Sequence, residues 1–265
     1  MTQYAPPLDR LLTYGEPEFA PPERWRPYVS ELGLTLDDVP ELVRMTNDQD
    51  LNSAKSDDPR VWAPIHAIRA LGELRAEAAI GSLISLADAE DDDWITNEVP
   101  KALGLIGPKA IPPLESYLGD QSRDGLQRAT AVGALEKISE MHPAARGECV
   151  SALARQLESF EDNPEELNGF LIGALVDLGA EDFLPLMRRA FEGDRVDEDV
   201  IDWREIRREF GLTGFDPLER EDKSRPKAFL PPLPSEANPA ATNKAKDAKK
   251  SKKKAAEKSR RKNRK

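Results

Sequence analysis

The sequence is short of the residues from which disulfides, metal sites and membrane spans are built. Among its 265 residues it has one cysteine, Cys149, and two histidines, His66 and His142. A single cysteine excludes an intrachain disulfide and a cysteine-rich zinc site, and it fits a reducing compartment. No stretch reaches the roughly 20 apolar residues of a transmembrane helix, and the N-terminus lacks the pattern of a signal peptide. These absences predict a soluble, cytoplasmic protein with no membrane partner.

Charge is distributed unevenly along the chain. Residues 241–265 hold 13 Lys and Arg against two acidic residues, a net +11, and subtracting this from the chain's −11 leaves −22 for residues 1–240. A basic tail of this kind either contacts phosphate backbones, folds back on the acidic body, or keeps the protein soluble. The residues predicted as possible phosphate contacts are Lys252, Lys253, Lys254, Arg260, Arg261 and Arg264.

The sequence does contain an internal repeat. Residues Trp62 to Leu86 read WAPIHAIRALGELRAEAAIGSLISL, and residues Trp94 to Leu118 read WITNEVPKALGLIGPKAIPPLESYL. The tryptophans and the Ala-Leu-Gly triplets of the two segments are 32 residues apart. Each segment has two stretches of apolar residues at helical spacing, separated by a turn. Such units are typical of a solenoid, in which each helix pair buries its apolar face against its neighbours.

The repeat and its flanks divide the chain into three regions. Residues 1–55 carry short helical patterns interrupted by proline and are predicted to form an N-terminal helical cap, since terminal solenoid units are atypical. Residues 56–215 are predicted to form the solenoid, in which Pro100 is expected to kink or shorten its helix. The prolines and lysines of residues 216–265 predict a linker followed by a disordered tail.

By the segments AIRALGELRAEAAI and KALGLIGPKAI the chain resembles HEAT repeats, in particular the short repeats named after phycobilisome lyases. The resemblance extends from Trp62 to Phe191. It implies an all-α, right-handed solenoid of antiparallel helix pairs, with the second helices on the concave side. The segment VDEDVIDWREI followed by the basic end KSRRKNRK is similar to a group of bacterial HEAT proteins. Some relatives of that group end in a cysteine-rich zinc-binding tail, and the tail of this chain has no cysteine.

The histidines and acidic runs do not form a recognisable metal site. HEAT enzymes of the deoxyhypusine hydroxylase type hold iron with His-Glu pairs, but neither His66 nor His142 is followed by glutamate. The acidic runs 90–93 and 197–199, the second with Asp202, lack the spacing of a calcium loop and are better explained as helix caps. We therefore predict no metal, no cofactor and no catalytic residue, and a packing or hydrogen-bonding role for His66.

Three further residues have a structural and a functional interpretation. Cys149 lies among Glu148, Val150 and Leu153, and we predict a buried and inert thiol rather than a nucleophile, because buried thiols are common and no feature of the sequence indicates a lowered pKa. Trp62 and Trp94 occupy equivalent positions of the repeat and are predicted to be structural, although tryptophan is also common in binding hot spots. An aromatic groove for a partner is therefore the alternative at these two positions.

These patterns predict a non-catalytic protein-interaction scaffold that binds its partner on the concave surface of the second helices. Because residues 1–240 are acidic, the partner is expected to carry a basic patch. The side chains predicted to contact it are Ser82, Ser85, Glu115, Arg155, Arg188 and Arg189. Two alternatives remain open: an RNA- or ribosome-associated protein acting through its basic tail, and a bilin-lyase-like enzyme, which the family name alone suggests.

Overall fold

The computed structural model describes residues 3–88, 93–214, 216 and 218 of the chain. Within these residues it contains α-helices and short 3-10 helices and no strand. The described residues up to Thr213 form one compact unit, and Gly214, Asp216 and Leu218 belong to a second. In the second unit the backbone N–H of Leu218 donates to Asp216 Oδ1 at 3.0 Å. The predicted phosphate contacts and the rest of the predicted tail lie outside the described residues.

The described residues form twelve α-helices, most of them arranged in pairs. The N-terminal region contains α1 (Tyr28–Leu32), α2 (Val39–Thr46) and α3 (Gln49–Asn52). Four pairs follow, namely α4 (Ala63–Glu73) with α5 (Ile80–Ser85), α6 (Asp93–Ile106) with α7 (Ile111–Gly119), α8 (Gly125–Met141) with α9 (Arg146–Leu157), and α10 (Glu165–Asp177) with α11 (Leu184–Glu192). The last helix is α12 (Trp203–Glu209).

The helix pairs stack in chain order. Among the first helices, α4 packs against α6, α6 against α8 and α8 against α10, and α2 covers α4 from the N-terminal side. Among the second helices, α5 packs against α7 and α7 against α9. The buried layer between these two rows contains one leucine from each first helix, and all four are at most 1% exposed: Leu71, Leu103, Leu135 and Leu175. This arrangement confirms the predicted all-α solenoid, whereas its handedness and its concave side stay predictions.

The two helices of each pair are joined by one turn of 3-10 helix. These turns are Glu77–Ala79, Pro108–Ala110, Pro143–Ala145 and Glu181–Phe183. Three of these turns follow a residue with positive φ; the residues are Arg75 (51°), Gly107 (95°) and Gly179 (60°). The same geometry links α1 to α2, through Gly33 (φ 67°) and the 3-10 helix Leu36–Asp38. Residues 28–46 of the predicted cap thus form a pair of helices joined by a 3-10 turn, as the repeats do.

The Ala-Leu-Gly triplet lies where neighbouring first helices approach most closely. A Cβ atom added to Gly72 of α4 would lie 2.8 Å from the Cα of Ala102 in α6. One added to Gly104 of α6 would lie 2.9 Å from the Cβ of Lys137 in α8. Both distances are shorter than a normal carbon–carbon contact. Glycine therefore recurs in the triplet because a side chain at this position would separate the stacked helices.

Pro100 does not end or shorten α6, contrary to one of the two expected effects. The helix continues for six residues beyond it, to Ile106, and is longer than α4. Pro100 is buried, and its ring lies 3.7 Å from the position that a Cβ on Gly133 of α8 would take. Packing of α6 between α4 and α8 offsets the hydrogen bond that proline cannot donate.

Candidate functional site

Four of the six residues predicted to contact a partner lie on α5, α7 and α9. Ser85 is exposed on α5, and its hydroxyl donates to the carbonyl of Ser82 at 2.8 Å. Glu115 of α7 and Arg155 of α9 form an ion pair, with Oε1 and Nη1 2.7 Å apart, and the Arg155 side chain is 64% exposed. This ion pair brings together two predicted residues from separate repeat units, at the solvent-facing side of the second helices.

The other two predicted residues, Arg188 and Arg189 of α11, pack against rings of their own chain. The guanidinium carbon of Arg188 lies 5.6 Å from the ring centroid of Trp203, and its Nε donates to Glu192 at 2.8 Å. The guanidinium carbon of Arg189 lies 5.6 Å from the ring centroid of Phe160. Cation–π contacts at exposed sites contribute about 0.5–1 kcal/mol. Both arginines therefore help to attach the last helices to the stack.

A second polar site, which the sequence did not single out, lies on the first helices. Residues 15–20, here called the strap, form no helix and cross α4 and α6. Side chains of these helices donate hydrogen bonds to strap carbonyls, namely His66 Nε2 to Gly15 (2.9 Å), Arg69 Nη2 to Glu18 (2.7 Å) and Lys101 Nζ to Ala20 (3.1 Å). The strap is thus attached to two successive repeat units through its own main chain.

His66 is buried and hydrogen-bonded at both ring nitrogens. The carbonyl of Gly15 can only accept, so Nε2 carries the hydrogen, and Nδ1 accepts from the hydroxyl of Tyr28 at 2.7 Å. Burial lowers the pKa of His66 to about 4, and the nearby Arg69 acts in the same direction. Burial also raises the pKa of Tyr28 to about 12, so the phenol keeps its proton. These contacts confirm the predicted hydrogen-bonding role of His66.

A buried ion-pair group lies beneath the strap. Glu98 of α6 is fully buried, and it accepts hydrogen bonds from Arg69 Nε at 2.8 Å and from Lys101 Nζ at 3.1 Å. Arg69, on α4, is itself 3% exposed, and its guanidinium carbon lies 5.0 Å from the ring centroid of Trp25. Burying a carboxylate is favourable only when it is paired and hydrogen-bonded in this way. The group joins the first helices of two units and positions the donors that hold the strap.

The two repeated tryptophans lie next to this group. Trp94 is 3% exposed and packs edge-on against Trp62, with ring centroids 5.3 Å apart. Both rings therefore pack within the repeat, as the structural interpretation predicted. Phe19 of the strap stacks on Trp94 with centroids 3.8 Å apart and ring planes 15° from parallel, yet Phe19 is 55% exposed. The inner face of Phe19 thus rests on the repeat, and the outer part of its ring meets solvent.

Of the acidic run 197–199 with Asp202, Asp202 caps a helix, whereas Asp197 accepts a hydrogen bond within the preceding turn. Asp202 Oδ1 accepts from the backbone N–H of Glu205 at 2.8 Å and caps α12, as predicted. The N–H of Asp199 donates to Asp197 Oδ1 at 2.9 Å. Residues 90–92 of the other run lie outside the described residues. Across the described ranges no group of three or more His, Cys, Asp or Glu side chains has the geometry to hold a metal ion.

The remaining thiol and histidine also pack within the solenoid. Cys149 is fully buried in α9, and burial, followed by the nearby Glu148, raises the pKa of its thiol to about 11. This agrees with the predicted buried thiol, because thiolate is the reactive form. His142, which follows α8, has its Nε2 2.9 Å from the carbonyl oxygen of Gly104 in α6. The side chain of His142 therefore links two successive repeat units.

Stacked helix pairs joined by short turns define an α-solenoid, and its two polar sites lie on separate rows of helices. Residues 51–136, from α3 through most of α8, match the family model of HEAT repeats, so over these residues the chain is a HEAT-like repeat protein. No match was found among curated proteins or among solved structures. Along the described residues, no helix is both long and apolar enough to cross a membrane. The likeness to phycobilisome-lyase-type repeats and the cytoplasmic location stay predictions.

Proposed function

We propose that the protein is a non-catalytic interaction scaffold, whose partner binds on the exposed side of α5, α7 and α9. The proposal is supported chiefly by the ion pair between Glu115 and Arg155, which presents charged groups of two stacked units on one continuous surface. HEAT repeats lend themselves to this role because stacking generates an extended surface from short units. Ser85, exposed on α5, extends the same polar surface by one further unit.

The charge of the chain favours a partner with a basic patch. Residues 1–240 carry a net −22. A partner of opposite charge is attracted over the Debye length of roughly 8–10 Å at physiological salt, which raises the association rate and disfavours acidic competitors. Binding should accordingly weaken as ionic strength rises, mainly through a slower association.

Site-specific photo-cross-linking of the full-length chain in native lysate tests this proposal. A photoreactive amino acid replaces Ser85 or Arg155 in two separate variants, and the matched control carries it at Glu140, which is exposed on the first helix α8. We expect the same protein adduct at positions 85 and 155, fading with added salt, and none at 140. An adduct of equal yield at all three positions, or none at 85 and 155, would contradict the proposed surface.

RNA binding through the tail is a second candidate, favoured by the net +11 concentrated in residues 241–265. Each phosphate contact made by Lys or Arg releases counterions, so binding to a single strand should fall with salt at a log–log slope of about −0.7 per contact. Deleting residues 241–265 should abolish RNA retention together with its salt dependence. Retention that survives the deletion would rule out a tail-based mechanism.

A further inference from the structure

The strap is attached to the solenoid by side chains rather than by backbone pairing. Within the described part of the chain, residues 15–20 take part in no backbone–backbone hydrogen bond. Their carbonyls accept from the three helix side chains, and that of Ala20 also accepts from Trp25 Nε1 at 3.1 Å. The flanking segments are anchored independently, since Leu11 before the strap and Tyr28 after it are at most 1% exposed. A segment held by few contacts between fixed ends can open locally without unfolding the rest.

The contacts define which features of the strap are recognised. The helix side chains donate hydrogen bonds to main-chain carbonyls of the strap, and any extended peptide has such carbonyls. Selectivity comes from three side chains: Pro17 and Ala20 are buried, and Phe19 stacks on Trp94. The side chains of Glu16 and Glu18 are exposed. The recognised pattern is therefore an extended Pro-x-aromatic-Ala segment.

We propose that the face of α4 and α6 beneath the strap is a second docking surface, which binds an extended Pro-x-aromatic-Ala segment of a partner protein when the strap lifts. Lifting leaves the buried donors of His66 and Arg69 without their carbonyl acceptors, and leaving such donors unpaired is costly. A partner segment that supplies equivalent carbonyls and an aromatic ring restores these contacts. The strap is then an internal competitor, which reduces the apparent affinity by the fraction of molecules in which the face is open. This surface is separate from the one on α5, α7 and α9.

Binding of a labelled peptide with the sequence of residues 14–21, YGEPEFAP, to the full-length chain tests the proposal. Phe19→Ala weakens the strap but leaves every residue of the helix face in place. Because aromatic pairs contribute about 0.5–1.5 kcal/mol, this variant should bind the peptide about five-fold more tightly than the unaltered chain. The matched control is Glu18→Ala, which truncates an exposed strap side chain and should leave the affinity unchanged. A peptide with alanine in place of its phenylalanine should bind both the unaltered and the Phe19→Ala chain about five-fold more weakly than YGEPEFAP.

Three results would overturn the proposal. They are equal affinity of the Phe19→Ala and unaltered chains, equal binding of the peptide without the ring, and no binding to any chain. Circular dichroism establishes that the variants are folded, as expected for a residue that is 55% exposed. Phe19→Leu, which removes the ring but keeps an apolar side chain, provides a second variant and should also bind the peptide more tightly.

Discussion

Replacing Gly72 with alanine tests the close stacking of α4 on α6. The added Cβ would lie 2.8 Å from the Cα, 3.1 Å from the Cβ and 3.3 Å from the carbonyl oxygen of Ala102. Carbon atoms in favourable contact are about 3.5–4.0 Å apart. Two of the three atoms belong to the backbone of α6 and cannot rotate away. The two helices must therefore separate by about 0.7 Å or more to reach a normal contact distance.

The expected change in the free energy of unfolding is the difference between two opposing effects. Overpacking of a buried contact costs about 1–3 kcal/mol, and replacing glycine by alanine within a helix contributes about 1 kcal/mol in the other direction. Gly72→Ala should thus destabilise the protein by about 1 kcal/mol. Gly173→Ala in α10 is the matched control, because among the described atoms nothing lies within 4 Å of the Cβ it would add. That variant should gain about 1 kcal/mol.

Urea denaturation followed by circular dichroism measures both changes directly. The two variants contain the same chemical substitution, so their free energies of unfolding should differ by about 2 kcal/mol. For a unit of about 200 residues, 1 kcal/mol corresponds to roughly 2–4 °C in Tm, with opposite signs for the two variants. Equal stabilisation by both substitutions would refute the argument that the triplet glycine sets the spacing of the first helices.

Three other perturbations have outcomes that follow from the buried polar groups. The pKa of His66 is depressed to about 4 in the folded chain. In the unfolded chain the histidine pKa is near 6.5, so as the pH falls the unfolded state binds a proton before the folded state does. About 2 kcal/mol of stability should therefore be lost between pH 7 and pH 5, which urea denaturation at each pH measures. Glu98→Gln leaves the buried Arg69 without its counter-ion and should lower the free energy of unfolding by about 3–5 kcal/mol in the same assay. Cys149, with its pKa raised to about 11, should react with a thiol reagent on the order of 100-fold more slowly than a free thiol at about pH 8.

Each of these outcomes has its own control. His66→Gln keeps a donor and an acceptor but does not titrate, so the pH-dependent loss should be absent from this variant, and an identical loss would exclude His66 as its source. Arg155→Ala breaks the exposed ion pair with Glu115 and should change stability by less than about 1 kcal/mol. A similar effect of Arg155→Ala and Glu98→Gln would contradict the distinction between exposed and buried pairs. Denaturant should restore the full labelling rate of Cys149, and fast labelling without it would show that the thiol is accessible.

The helix pairs and the order in which they stack were predictable because their determinants are local. Apolar residues at helical spacing define the helices, and breakers such as Gly107 and Gly179 mark the turns. The recurrence of Ala-Leu at 70–71, 102–103, 134–135 and 174–175 then implies that each pair packs against the next in a similar way. Of the polar residues predicted on the second helices, Ser85, Arg155 and Arg189 are exposed. The sequence did not reveal that Arg188 packs against Trp203 of a later helix.

The position of the strap and the residues that bind it depend on the tertiary structure. Its contacts join His66 to Gly15 and Lys101 to Ala20, residues 51 and 81 positions apart, and the ion pair of Arg69 with Glu98 spans 29 positions. Residues 15–20 have no helical or alternating pattern, so nothing local predicts where they lie. The charges of Arg69 and Glu98 fall on helix faces that become buried once α6 packs on α4. Periodicity thus determines which faces are apolar, whereas burial of a charged pair depends on the partner that stacking brings to it.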